Sequence, residues 1–535
     1  MSIARFPGMV AIGVVARRAM RGAFIWGAVF GVVTWLEAVQ FGQEYPTAAD
    51  RARLVATMGS DVGFQAIFGP GPHIDTIHGY VAAHAVGVLG VIGAVWALLA
   101  STRLLRGEED AGRWEVLLAG PTTRRRAMAA AVAGLGVGLG LLWALTAAAY
   151  VAVGRGTDAG FSLGASLFAA TATVAATAMF LAVGALCSQL AATRRQAVGW
   201  AALVFGVAYL IRVVAYSTSL RWLRWVSPLG WVDELRPLTG NRPLALVPIT
   251  VTISVLVVLT ILLAGRRDLG AGVRPAHDTK PAHTRLLTGP LGLAARLGRG
   301  TALGWIGGLT MGALIIGLIA KGSADVWANQ SSGMFTTLTG TQGGAVFLGV
   351  VFLLVAFLVA MAAAGQVAAT REEEAQGYLD HLLARPVARL PWLAGRLAVS
   401  AVLLAGLGVV AGVGTWIGTG ITGAGLDFGT LLAAGVNIVP VGILVLGLGT
   451  LVHGLAPRYA APFAYGLVAW SFLVEIIGAS LGASRWLLDT SVLHHIARAP
   501  AADVRWDSAA ILIGIGVAAA ALGAFAFTRR DFHGG

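Results

Sequence analysis

Runs of about 20 consecutive apolar residues recur along this chain, and a run of that length crosses a hydrocarbon core of roughly 30 Å as an α-helix. Twelve are present, near 22 to 40, 80 to 102, 127 to 152, 162 to 190, 196 to 216, 244 to 265, 302 to 320, 343 to 369, 394 to 417, 428 to 454, 461 to 481 and 508 to 528. Short polar breaks at Arg194-Arg195 and Pro457-Arg458 split the longest stretches. Composition agrees, since 57% of the 535 residues are hydrophobic and 12% charged, about half the charged share of an average soluble domain. The expected fold is an all-α polytopic membrane protein with twelve transmembrane helices.

Orientation follows from arginine. With the amino terminus inside, 26 of the 38 lysines and arginines fall before the first span, in inner loops or at the carboxyl end. Basic residues concentrate on the cytoplasmic side of membrane proteins, so both termini are expected in the cytoplasm of a multi-pass protein of a bacterial plasma membrane. The formal net charge of +13 then reflects attraction to anionic headgroups and calls for no nucleic-acid partner. Arg17-Arg18 follows the first short apolar run instead of preceding it, which does not fit a cleavable signal. Cys187, the single cysteine, lies in a predicted helix and permits no intrachain disulfide.

Between the spans one charged, proline-ended stretch occurs twice. Residues 108 to 124 read EEDAGRWEVLLAGPTTR, and residues 372 to 389 read EEEAQGYLDHLLARPVAR. At an offset of 265, Arg106 aligns with Arg371, Glu108 with Glu373, Glu109 with Glu374, Gly112 with Gly377, Glu115 with Asp380, Leu117 and Leu118 with Leu382 and Leu383, Pro121 with Pro386, and Arg124 with Arg389. Trp222 and Ser227 match Trp486 and Ser491 at an offset of 264, and Arg266-Arg267-Asp268 matches Arg529-Arg530-Asp531 at 263. The chain therefore reads as a tandem duplication: a six-helix half at 1 to 268, a cytoplasmic linker and connecting helix at 269 to 300, and a second half at 301 to 535. An even number of spans returns each copy to the same side, so the repeats are parallel.

Each copy is predicted to form a short helix of about three turns outside the bilayer, after the second span of its half. Carboxylates suit a helix amino terminus, where they are favoured by about 0.3–1 kcal/mol, and Pro121 and Pro386 stop the helix because proline lacks the N–H donor. Trp114, Leu117 and Leu118 would share one face, Leu379, Leu382 and Leu383 its equivalent, with Glu108, Glu115, Glu373 and Asp380 on the flank. An apolar face with an acidic flank is the expected docking surface.

The pattern E-E-x-x-G-x-x-E/D-x-L-L-A-x-P-x-x-R after a second span resembles the coupling-helix segment of ABC-2 type permeases, the membrane subunits of ATP-driven exporters. The tandem twelve-helix form is similar to actinobacterial exporters of polyketide antibiotics, the tetronasin-resistance type. The resemblance implies that Glu108, Glu109, Gly112, Trp114, Glu115, Leu117, Leu118 and Pro121, with Glu373, Glu374, Gly377, Leu379, Asp380, Leu382, Leu383 and Pro386, seat in two copies of an ATP-binding cassette ATPase. It also implies that the amphipathic segments 9 to 21 and 284 to 299 are connecting helices ahead of each bundle. Trp114 and Gly120 stand where the second copy has Leu379 and Arg385, so the two sockets need not be used equally. A P-loop needs lysine followed by serine or threonine, whereas Lys280 precedes Pro281 and Lys321 precedes Gly322. The chain is thus expected to be no enzyme, with ATP and Mg bound by a separate subunit.

Ionisable groups inside hydrocarbon cost at least about 2.5 kcal/mol at its centre, so the few present are pathway or gate candidates: Glu37, Arg212 and Glu475, with the polar Asn437. Arg212 and Glu475 lie at similar depth in equivalent spans, which leaves two readings open: a pair closing the outer mouth, or each side chain snorkelling separately to the outer surface. Trp222, Trp225 and Trp231 mark an outer helix lying in the headgroup layer. His73, His78 and Asp75 are too few for a metal site, which needs three or four converging ligands. These features fit a permease subunit of an ABC exporter that moves lipophilic compounds (antibiotic, drug or lipid) outward. The alternative is a proton-driven multidrug transporter with Glu37 and Glu475 as carriers. A membrane enzyme acting on lipid would need a converging nucleophile, base and acid, and none is visible.

Overall fold

Each apolar run becomes a helix in the computed structural model, which describes residues 7 to 56, 65, 69 to 157, 159 to 268, 289 to 329, 344 to 377, 379, 388 to 424, 426 to 481 and 485 to 530. Two compact units divide the chain, Met1–Lys280 and Pro281–Gly535. The first holds α1 (Pro7–Glu44), α2 (Ile77–Asp110), α3 (Arg124–Gly156), α4 (Leu163–Leu190), α5 (Arg194–Ser217) and α6 (Leu246–Ala264). The second holds α7 (Pro290–Asn329), α8 (Gly344–Ala375), α9 (Arg389–Thr422), α10 (Phe428–Leu455), α11 (Pro457–Leu481) and α12 (Trp506–Arg529). Among the described residues there is no strand.

Eleven of the described helices are long and apolar enough to cross a membrane. The remaining expected span is α11, whose 25 residues reach about 37 Å at 1.5 Å each. Side-chain caps set several starts: Thr123 accepts from the Arg126 N–H at 3.3 Å, Ser162 from Ala165 at 3.2 Å, and Asp427 from Thr430 at 3.1 Å, each satisfying a donor that the first turn leaves open. The two amphipathic segments expected as separate connecting helices are corrected. Residues 9 to 21 run unbroken into α1, and the described part of 284 to 299 runs into α7. No proline separates either segment from its span, and extending a helix adds one hydrogen bond per residue.

Inside a bilayer helices gain little from hydrophobic burial against one another, so small residues that let backbones approach dominate the contacts. α10 and α12 show this directly: a Cβ at Gly447 would lie 1.9 Å from the Gly516 carbonyl oxygen, and one at Gly454 would lie 2.2 Å from that of Gly523. Several polar side chains within the spans are satisfied locally. Thr34, Thr146 and Thr260 donate to carbonyls four residues earlier at 2.7–2.8 Å, and Tyr150 meets Thr173 at 3.0 Å across α3 and α4. Large apolar side chains such as Phe24, Leu203, Leu303, Val402 and Leu522 are exposed, as lipid contact requires. Between α5 and α6 the tryptophan-rich stretch forms a five-residue turn, Arg221–Trp225, and a six-residue helix, Pro228–Asp233, with Trp222 and Trp225 exposed.

Candidate functional site

α2 runs without a break through Arg106, Glu108, Glu109 and Asp110 and ends at Gly112, whose φ of +70° is a left-handed conformation that glycine adopts without strain. The Gly112 N–H donates to the Glu109 carbonyl at 2.9 Å. A six-residue helix, Arg113–Leu118, follows. α8 closes in the same manner: it ends just beyond Glu372, Glu373 and Glu374, Gly377 has a φ of +73°, and its N–H meets the Glu374 carbonyl at 3.0 Å. The expected three-turn helix opening at Glu108 is therefore corrected. The acids finish the transmembrane helix, because no proline interrupts 102 to 111 and the helix propagates until a glycine turns it.

Carboxylates at a helix carboxyl end face the negative pole of its dipole, a cost of about 0.3–1 kcal/mol each, and the structure supplies cations to offset it. Glu109 is buried and accepts from Arg106 Nη1 at 3.3 Å and from Arg267 Nη1 at 2.7 Å, with a second Arg267 contact through Nη2. Arg267 Nε donates to Gln189 Oε1 at 2.9 Å, which ties in the end of α4. Asp110 accepts from Arg106 Nε at 3.0 Å and from the Arg194 backbone N–H at 2.7 Å, while Arg106 Nη2 reaches the Ala192 carbonyl. Glu108 takes Arg18 of α1 at 2.5 Å and Arg113 at 2.5 Å. The end of α2 is thus bonded to α1, to the α4–α5 turn and to the residues after α6.

The second unit builds the same arrangement. Glu374 pairs with Arg530 and lies 3.3 Å from His453 Nε2, Arg530 Nη1 donates to the His453 carbonyl at 2.8 Å, and Glu373 pairs with Arg396. Arg389 Nη1 donates to the Arg530 carbonyl at 2.8 Å, as Arg124 does to that of Arg267. Two echoes that the sequence shows separately, the acidic stretch and the Arg-Arg-Asp ending, are one site in each unit. Sequence reasoning marks Arg267 and Arg530 only as part of a repeated ending and His453 only as a polar group near a helix end, and it misses Gln189; the retention of both motifs in both halves is the signal that joins them.

The docking face is also corrected. Trp114 is 7% exposed and packs with Leu104, Leu105, Met128 and Leu135, with Leu117 and Leu118 against the same cluster. Leu379 is buried with Trp392, Leu393 and Phe527. The apolar face covers its own bundle, and what remains outward is Glu115, Val116 at 79% exposure, Ala119 and Pro121. Asp380, Leu382, Leu383 and Pro386 lie outside the described residues.

The pathway candidates divide. Arg212 donates to Asp233 through Nε at 2.7 Å and Nη2 at 3.0 Å, with the Tyr216 hydroxyl on the same carboxylate at 3.1 Å. Glu475 lies 3.4 Å from His494 Nδ1 and 3.8 Å from Arg498 Nη2. Arg212 and Glu475 each find partners within their own unit, because the outer loop between the last two spans brings charged groups back over the helix ends. Asn437 is buried and donates to the Ala497 carbonyl at 2.7 Å. Glu37 Oε2 is buried with no hydrogen-bond partner among the described residues.

A family model described as the C-terminal domain of multidrug efflux system permease Rv1217c matches residues 12 to 264 and again residues 287 to 528. The multidrug efflux system permease protein Rv1217c of Mycobacterium tuberculosis (strain ATCC 25618 / H37Rv) is 30% identical over 500 residues, a span covering 91% of this chain and 88% of that protein.

Proposed function

This chain belongs to the Rv1217c family of multidrug efflux system permeases, and on that footing we propose that it is the membrane subunit of an ATP-driven exporter of the ABC-2 type. It carries lipophilic compounds out of the cell and is worked by two copies of a separate cassette ATPase. The observation that carries this reading is the doubled helix end: a left-handed glycine after an acidic, arginine-clamped terminus, present in each unit on the arginine-rich side. That side faces the cytoplasm in this reading. The lack of a P-loop lysine in the sequence supports an external energy source.

Transport follows from how force enters each unit. The exposed strip Glu115, Val116, Ala119 and Pro121 meets the ATPase, and Trp114 passes its displacement into α2 and α3. The clamp at Glu109 carries the same displacement to α4 and α6, so one bundle moves as a body while the pathway changes the side it opens to. Ala, Gly, Val, Leu and Phe along the spans suit lipophilic cargo.

The test is reconstitution of the purified chain in vesicles with its ATPase. Val116→Asp or Glu115→Arg, both at exposed positions, is expected to lower drug-stimulated ATP hydrolysis and efflux by at least about tenfold, the equivalent of one lost hot spot of roughly 1.4 kcal/mol, without altering thermal stability. Efflux by the chain alone, driven by a proton gradient and abolished in Glu37→Gln, would replace this reading with a proton-coupled one.

A further inference from the structure

On α1, Arg18, Arg21, Gly22 and Ile25 follow at i, i+3, i+4 and i+7 and so share one face. On α2, Trp96, Leu99, Ala100 and Arg103 do the same. These two faces, with Arg113 and Arg194, line a cleft of about 1080 Å³ within the first unit. α1 enters the bundle from the arginine-rich end and α2 returns to it, so the arginines of both helices gather at one level. Ile25, Trp96 and Leu99 lie below them: at 1.5 Å per residue Ile25 is about 6 Å deeper than Arg21, and Leu99 and Trp96 are about 6 and 10 Å deeper than Arg103.

The cleft is therefore amphipathic along its depth. Five arginines, Arg18, Arg21, Arg103, Arg113 and Arg194, face two carboxylates, Glu108 and Asp110. Both carboxylates are already engaged, Glu108 by Arg18 and Arg113, and Asp110 by Arg106 and the Arg194 N–H. Arg21 and Arg103 are exposed and have no carboxylate within 4 Å among the described residues. Gly22 shapes the floor: a Cβ there would come within 3.1 Å of the Trp96 ring, so glycine lets the indole lie across α1.

We propose that this cleft binds an anionic phospholipid of the bilayer, its phosphate between Arg21 and Arg103 and its upper acyl chain against Trp96, Ile25 and Leu99. Basic pockets between helices at the cytoplasmic face have the chemistry for such headgroups. A zwitterionic lipid would bring its own cation into an excess of arginine and bind less well. The site needs no energised transport, so it stands or falls apart from the export reading.

The full chain, reconstituted in vesicles of equal phosphatidylglycerol and phosphatidylcholine, is extracted in detergent and its retained lipid measured by mass spectrometry. The wild-type chain should hold phosphatidylglycerol in preference. Arg21→Gln with Arg103→Gln should lower that preference by about thirtyfold, as expected for two cations beside an anionic headgroup, whereas Arg21→Lys with Arg103→Lys should keep most of it. Gly22→Leu, which keeps every charge and fills the floor, should also lose it. Arg51→Gln with Arg53→Gln, an equal change of charge elsewhere in the same unit, should leave it intact. Unchanged preference in the glutamine variant, equal loss in the Arg51 and Arg53 control, or retention in Gly22→Leu would each overturn the proposal. So would displacement of the lipid by inorganic phosphate alone, since that would reduce the cleft to a simple anion site.

Discussion

Glu109 is a carboxylate buried at the wrong end of a helix dipole, and two guanidinium groups hold it there. Removing one member of such a pair leaves the other charge buried and uncompensated. Glu109→Ala or Arg267→Ala is therefore expected to cost about 3–5 kcal/mol, read as a lower melting temperature of the purified chain. The double replacement should cost less than the sum of the two, with a coupling of about 0.5–3 kcal/mol from the cycle. Glu374→Ala and Arg530→Ala should couple in the same sense. These residues bear on what the sequence could reveal. The acids stood out because they recur beside Gly and Pro, but their partners lie 158 and 156 positions away in the chain. No local spacing rule joins Glu109 to Arg267. Only the fact that both motifs survive in both halves hints at it.

Helices were the most legible feature, because about 20 apolar residues have few other ways to satisfy their backbone in lipid. Their ends were not. Arg17, Arg18 and Arg21 look like a separate surface helix when read for polarity alone, yet the backbone has no reason to stop between them and Phe24. The helical wheel correctly grouped Trp114, Leu117 and Leu118 on a face, but a wheel shows that a face is apolar and not what covers it. In this fold Met128 and Leu135 of α3 cover it. Packing between spans offers a sharper prediction. Gly447→Ala places a methyl 1.9 Å from the Gly516 carbonyl oxygen and should destabilise by more than the about 1–3 kcal/mol of ordinary overpacking. Gly514→Ala, where a Cβ meets nothing within 4 Å, should leave the melting temperature unchanged. Gly112→Ala at φ +70° should cost about 1–2 kcal/mol and weaken ATPase stimulation by re-aiming the strip that follows it.

Each half carries its own six helices, its own clamp and its own ends, down to the Ser227 hydroxyl on the Ala208 carbonyl at 2.7 Å and the Ser491 hydroxyl on that of Ser471 at 3.1 Å. A duplicated permease with a dispensable covalent join should tolerate a cut. Residues 1 to 280 and 281 to 535, expressed together as separate chains, are expected to restore efflux that neither restores alone, and failure of the pair to co-purify would count against two self-contained halves. The indole of Trp114, sunk among Leu104, Leu105 and Met128, has a mechanical corollary. A hinge fixed at one end by φ +70° and pinned at the other by a buried ring has little play, so under the proposed coupling a stroke delivered to Val116 would reach the bundle with almost no backlash. If the proposed ATPase drives this element, trimming that ring would leave a crank turning loosely on its shaft, burning nucleotide while moving nothing.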